Sequence, residues 1–352
     1  MIMLTNPVDL LRDLVAIPSV SQHENEVIDF LVTLLRRFEI PFEIIHGNLV
    51  VSFGRGERQL LLASHLDTVP GSPSMFQSTN ETDFVVGRGS VDAKGCAVSM
   101  LAAGLQMKRD FDNPGSGRLV IALTICEEIE AKFNGMRRLR STFQLPNAGV
   151  IGEPTSLRIC VAQKGLLGCM CHTTGEASHA ARPPRRRAID LASEDISNLS
   201  RLPLSDGVDD WLGLPTVTVT HIHGTASAFN VIPERCEYFL DARTTPFFNN
   251  DRMLSLLRST LKSEVRVCSD MRATRTPDNS ELLSAAKVVL GGDDLFGSPT
   301  ASDWAYLDDL DCIKLGPGDS RLSHTNAERL QIEEFNRAIL VYRNIARQYL
   351  FQ

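Results

Sequence analysis

Gln59-Leu60-Leu61-Leu62-Ala63-Ser64-His65-Leu66-Asp67-Thr68 is the stretch on which the fold of this 352-residue chain turns. A short continuous apolar run between helical patterns reads as a strand buried on both faces, as in a parallel sheet. The run ends on a histidine and an aspartate at i and i+2, so on an extended strand end they share a face. Ligands of open α/β sheets bind beyond the carboxyl ends of the strands. Chemistry is therefore expected at His65 and Asp67.

Working outward, Pro7–Ala16 and 24–38 carry apolar residues at three-and-four spacing, the mark of amphipathic helices. Ser21 and Glu24 have the spacing of a capping box for the second helix. Beyond the opening strand, helices over 95–108 and near 135–141 alternate with strands over 119–125 and 148–152. The alternation predicts an α/β domain whose mostly parallel mixed sheet is flanked by helices. From Lys164 the pattern changes. Residues 168–174, 216–223 and 236–241 alternate like half-exposed antiparallel strands, with helices over 187–202 and 251–263. After Pro277 a helix from Glu281, a strand at Cys312 and a final helix from Glu328 return to the first pattern. The expected organisation is one domain from 1–163 and 277–352, with a smaller α+β domain, 164–276, inserted as a lid.

Composition narrows the function classes. Apolar content of 43% and charged content of 22% fit a soluble globular chain, and a formal net charge of −7 offers no attraction to nucleic acid or anionic membrane. The one basic run, 182–187, reads as a solvated helix start. Residues 1–19 mix Asp9, Arg12 and Asp13 among apolar positions and so lack the apolar stretch of a signal peptide. No apolar run approaches the roughly 20 residues that span a bilayer. Eight scattered cysteines without a C-x-x-C pair read as free thiols of a cytoplasmic protein.

Five potential metal ligands lie in separate short contexts: His65, Asp92 in Gly89-Ser90-Val91-Asp92-Ala93-Lys94-Gly95, Glu128 in Cys126-Glu127-Glu128, Glu153 in Gly152-Glu153-Pro154, and His324 after Gly316-Pro317-Gly318-Asp319-Ser320. Two imidazoles and three carboxylates can hold two zinc ions with one carboxylate shared, leaving positions for water as hydrolytic sites require. Asp67 is placed to orient His65 from behind. Glu127 and Glu128 follow a strand with diverging side chains, so one can bind metal while Glu127 acts as general base. Lys94 reads as a structural cation. In the inserted domain His179, Asn230 and Arg243 flank strands, and Arg243 has the fork that a substrate carboxylate needs. His221 and His223 read as strand surface.

Ser64-His65-Leu66-Asp67-Thr68-Val69-Pro70, Gly87-Arg88-Gly89-Ser90-Val91-Asp92-Ala93-Lys94-Gly95, Glu127-Glu128, Gly152-Glu153-Pro154-Thr155 and Gly175 to Ala180 occur in that order. Together they resemble the zinc aminoacylase and carboxypeptidase family, peptidase family M20, over essentially the whole chain. Gly297-Ser298-Pro299-Thr300-Ala301-Ser302-Asp303 and the loop before His324 look most like arginine-biosynthesis deacylases acting on N-acylated ornithine. Similar segments occur in enzymes for acetyl-lysine, acetylcitrulline and succinylornithine, and a succinyl-diaminopimelate deacylase or a dipeptidase or carboxypeptidase of the family is an alternative reading. The resemblance implies two Zn2+ per chain, with Co2+ as an alternative, Asp92 bridging, His65 and Glu153 on one ion, and Glu128 and His324 on the other. It implies Glu127 as base, Asp67 as the orienting group, and His179 as an oxyanion stabiliser in a homodimer formed through the lid. It implies Asn230 and Arg243 as substrate-holding residues. A non-catalytic binding protein is the rival reading, and a retained unligated acid beside the ligands speaks against it.

Overall fold

The computed structural model describes residues 6–77, 81–112, 117–129, 132–226 and 228–351. Residues 1–5 of the N-terminal stretch 1–19 lie outside the described residues. The chain divides into two compact units: Met1–Val161 with Thr276–Phe296 and Ser302–Gln352, and Ala162–Arg275 with Gly297–Ala301. The short piece Gly297–Ala301, counted from sequence with the C-terminal return, groups instead with the second unit.

In the first unit, four parallel strands lie side by side in the order Arg118–Thr124, Gln59–His65, Ala148–Ile151 and Asp311–Lys314. Leu62 pairs with Ile121 on one side and Val150 on the other. Every residue from Leu60 to His65 is buried, which explains the unbroken apolar run. Antiparallel strands complete the edges, so the sheet is mixed. One edge is the hairpin Phe42–Ile45 and Asn48–Phe53, turned through His46 and Gly47 at φ of 51° and 87°. That hairpin has no counterpart in the sequence reading.

The helix Lys94–Met107 is buried nearly all round and packs against the Gln59–His65 strand and the helices Pro7–Ala16 and Ile332–Leu350. Its approach to the sheet is close enough that a Cβ on Gly104 would come within 2.3 Å of Ile121 Cδ1. Lys94 donates to the carbonyls of Leu14 and Ile17, each at 2.8 Å, and so ties the first helix to the loop of Asp92.

Two local expectations fail. Ser21 and Glu24 do not cap the helix Asn25–Arg37; Ser21 Oγ donates to Asp67 Oδ2 at 2.7 Å, and Glu24 accepts from the Cys126 backbone. A buried acceptor at Asp67 and a buried backbone donor at Cys126 outcompete the local cap. The final helix starts at Ile332, not Glu328, because Arg329–Gln331 pairs as a strand with Phe84–Val86 and Glu328 is drawn inward as an acceptor.

The second unit is a four-stranded antiparallel sheet in the order Thr216–Gly224, Arg235–Thr244, Gly165–Thr174 and Glu264–Met271. The last strand is absent from the sequence reading because polar Ser269 and Asp270 and a bulge after Val267 break its alternation. Helices Ala188–Leu199 and Asn250–Thr260 cover one face, burying Ala192, Met253 and Leu257 against Cys169, Cys171, Tyr238 and Leu240. Asp195 accepts the backbone N–H groups of Lys262 and Ser263 at 2.8 and 2.9 Å, closing that core. All eight cysteines are free thiols, seven of them buried. Among the described residues no helix is long and apolar enough to cross a membrane.

Candidate metal centre

The five predicted ligands converge in the first unit, each carried by a strand end or a loop. His65 is the last residue of its strand, and its Nδ1 lies 2.9 Å from the Asp67 backbone carbonyl. With Nδ1–H donating there, Nε2 faces the carboxylates, where it can donate a proton to Asp92 or, once deprotonated, offer its lone pair to a cation. The Asp67 carboxylate is 3.5 Å from that ring nitrogen, so it orients His65 less directly than the carbonyl does. Besides Ser21 Oγ at 2.7 Å, it accepts the backbone N–H groups of Glu127 and Glu128, both at 3.0 Å. Asp67 thus holds the acidic pair in place as well as standing behind the histidine.

Asp92 faces both imidazoles. Oδ1 lies 3.1 Å from His65 Nε2 and Oδ2 lies 3.5 Å from His324 Nε2. Glu153 reaches His65 at 4.0 Å and Glu128 reaches His324 at 2.8 Å. Donors on one tetrahedral ion with bonds of about 2.0–2.1 Å stand about 3.3 Å apart, close to these separations. Among the described residues, three groups gather donor atoms within 4.8 Å of one another: His65, Asp92 and Glu153; Asp92, Glu128 and His324; and His65, Glu127 and Glu128. Two of them share Asp92. Glu127 therefore stands within reach of the same centre as the ligands.

Two ligand-bearing turns use left-handed backbone at non-glycine residues. Cys126 has φ of 57° and His324 has φ of 63°. Such conformations cost on the order of 1–3 kcal/mol and persist where surrounding bonds over-determine them. At Cys126 those bonds are its N–H to Glu24 Oε1 at 3.0 Å and the two from Glu127 and Glu128 to Asp67. At the Asp92 loop Gly89 has φ of 85°, and a Cβ there would meet Thr68 Cγ2 at 2.9 Å.

The electrostatics call for cations. Burial pushes the Glu127 carboxyl well above the usual range, and Glu153, Glu128 and Asp303 add to this against the pull of His65. Burial, with Asp92 nearby, pushes Glu153 up to about 8. Glu128 is raised by burial despite the His324 bond. Burial works against a charged His65, yet hydrogen bonds to Asp67 and Asp92 hold its pKa well above the ordinary value. Asp92 is also buried, but His65 and His324 hold its carboxyl low. So many buried acids around two imidazoles are poorly compensated by protons alone. Divalent cations bound by imidazole and carboxylate match both the donor chemistry and the charge.

Three carboxyl-bearing residues around this centre are given no part in it by the sequence. Asp303 is buried and accepts from Thr124 Oγ1 at 2.8 Å and Asn134 Nδ2 at 2.7 Å. Glu24 and Glu328 accept backbone N–H groups in the ligand turns. None lies in a strand-end acidic context, so periodicity carries no sign of them.

The remaining predicted residues lie in the second unit. His179 Nε2 is 3.3 Å from Asn230 Nδ2, where the strand Ser178–His179 pairs with Val231–Ile232. Arg243 is gripped by Asp241, which accepts from Nε at 2.7 Å and Nη2 at 3.0 Å; Nη1 takes no part in that pair. His221 and His223 are exposed on their strand and belong to none of the three donor groups.

A sequence profile describing peptidase family M20/M25/M40 matches residues 61–348. The chain belongs to that family. Within M20 it is 27% identical over 344 residues to a LysW-lysine/LysW-ornithine hydrolase of Sulfurisphaera tokodaii, covering 96% of this chain and 93% of that protein. It is 31% identical over 281 residues to the acetylornithine deacetylase of Photorhabdus laumondii, covering 72% and 71%. Its fold is similar to that of an M20 family metallo-carboxypeptidase from Sulfolobus solfataricus, with a TM-score of 0.84, 17% identity, and coverage of 99% and 100%. A dinuclear metal-binding M20 peptidase of Bacillus subtilis has a TM-score of 0.71 at 16% identity, covering 98% and 97%. The protein is an M20 amide hydrolase.

Proposed function

We propose that this M20 chain is a zinc-dependent deacylase of N-acylated amino acids, cleaving N-acetyl-L-ornithine to L-ornithine and acetate. The observation that carries the metal and the hydrolysis is the pair of donor groups sharing Asp92, with Glu127 beside them. The choice of acetylornithine is supported by the 31% identical deacetylase and by the Gly297 to Asp303 and Gly316 to His324 segments.

His65 and Glu153 would hold one ion and Glu128 and His324 the other, with Asp92 common to both. Zinc held there would supply Lewis acidity and make bound water a stronger acid. Glu127 receives the water proton on a carboxylate oxygen and passes it to the departing amine nitrogen. Its buried surroundings raise its proton affinity, as that double task requires. Asp67 keeps Glu127 from drifting by holding its backbone N–H. In this reading His179 meets the developing oxyanion, and Asn230 and Arg243 hold the substrate, Arg243 through its α-carboxylate. The enzyme acts as a cytoplasmic homodimer assembled through the second unit, the lid.

A second reading follows from the relative matched along 96% of the chain, whose name specifies hydrolysis of LysW-lysine or LysW-ornithine. On that reading the substrate is LysW-linked lysine or ornithine and not a small N-acyl amino acid. The experiment is a panel of N-acetyl- and N-succinyl-ornithine, -citrulline, -lysine and -diaminopimelate, with LysW-lysine, given to zinc-loaded protein. Fastest release of ornithine from N-acetyl-ornithine supports the first reading. Release from LysW-lysine alone supports the second.

A further inference from the structure

We propose that Glu328 is a positioning residue for the shared ligand Asp92, acting through the backbone of the loop that carries it. The side chain of Glu328 is fully buried. Its Oε1 accepts three backbone N–H groups: Gly89 at 2.9 Å, Val91 at 3.1 Å and Asp92 itself at 3.2 Å. Its Oε2 takes the guanidinium of Arg88 at 2.5 Å, and Arg88 is buried too. The backbone joins in, since Gly87 N–H donates to the Glu328 carbonyl at 3.0 Å. One residue, remote by more than 230 positions, therefore closes the whole turn from Gly87 to Asp92.

A single carboxylate oxygen receiving three N–H groups sets where the peptide of Asp92 lies, and so where its side chain starts. Without that acceptor, three buried donors lose their partner and the loop must rearrange to satisfy them. Asp92 belongs to both donor groups that share it, so a shift of this loop acts on both ions together. Groups that orient a metal ligand from behind typically alter metal affinity by about 10–100-fold when removed.

The inference rests on the proposed metal centre, and one experiment separates the two. Zn2+ is titrated by calorimetry into chelator-treated full-length protein and into its Glu328→Gln and Glu328→Ala variants. Circular dichroism and thermal unfolding of each metal-free protein are measured alongside. Parent protein that binds no zinc overturns the metal centre. If parent binds, the expected order of affinity is parent, then Glu328→Gln, then Glu328→Ala, with the alanine variant weaker by about 10–100-fold. Glutamine retains a carbonyl acceptor for the three N–H groups, so it should recover part of the loss. A folded variant of either kind that binds zinc within about twofold of the parent overturns the positioning role. Should Glu328→Ala fail to fold, Glu328→Gln decides alone: several-fold weaker binding upholds the role and parent-like binding rejects it.

Discussion

Asp92 Oδ1 stands 3.1 Å from Nε2 of His65, a histidine 27 residues earlier in the chain. The other oxygen of the same carboxylate faces His324 at 3.5 Å. A carboxylate that faces two imidazoles is placed to be common to two ions. Replacing Asp92 with alanine is therefore expected to abolish tight binding of both metals, whereas His324→Ala should weaken one. Metal content after dialysis, measured by inductively coupled plasma mass spectrometry, checks this. An Asp92→Ala protein that keeps a full complement would remove Asp92 from the shared position.

Glu127 is expected to govern turnover without governing metal content. Glu127→Gln should lower kcat by at least about 10²–10⁴-fold, the range attributed to positioned proton transfer. Because Glu127 also lies within reach of His65 and Glu128, metal content is the discriminating measurement. Loss of metal in step with activity would make Glu127 a ligand.

The metal-free protein should lose stability as pH rises. Glu127, Glu128 and Glu153 have folded-state pKa values raised above those of the unfolded chain, Glu153 to about 8. A raised pKa means the folded state binds the proton more tightly, so this stabilisation is full below about pH 4.5 and fades as pH climbs through 8. His65 is raised as well and adds in the same direction. Asp67 and Asp92 are lowered, but their contribution is lost only as pH falls below about 4. Thermal unfolding of chelator-treated protein should therefore move down by a few degrees between about pH 5.5 and 8.5. Saturating zinc should remove that slope, since metal replaces the protons. A metal-free unfolding temperature that rises over this range would contradict the assignment.

Much of this arrangement is legible in the chain itself. The Gln59–His65 and Arg118–Thr124 strands announce themselves because both faces are covered, leaving an apolar run that ends where the ligands begin. His65, Glu128 and Glu153 are legible for the same reason, each following such a run. Glu24, Asp303 and Glu328 are not, because their partners are backbone or polar groups more than a hundred residues away. The Ser21 and Glu24 pair shows the limit well: the local spacing is that of a cap, yet buried donors at Cys126 and an acceptor at Asp67 claim both side chains.

That competition is open to test. Glu24→Ala leaves the Cys126 N–H without its acceptor and should cost about 1–3 kcal/mol in urea unfolding. It should also lower kcat, since Cys126 immediately precedes Glu127. Glu24→Gln keeps an acceptor and should restore much of both. Unchanged activity in a destabilised Glu24→Ala protein would confine the residue to a structural role.

Hydrolysis of an N-acyl amino acid by the proposed pair of metal ions with Glu127 is open to direct measurement. Its most direct test is the rate of N-acetyl-L-ornithine hydrolysis by chelator-treated protein as Zn2+ is added back in measured equivalents. The expected result is no turnover without metal and a rise that levels off at about two equivalents per chain. Undiminished turnover in the metal-free protein, or none at any zinc level on any member of the acyl amino-acid panel, would contradict it.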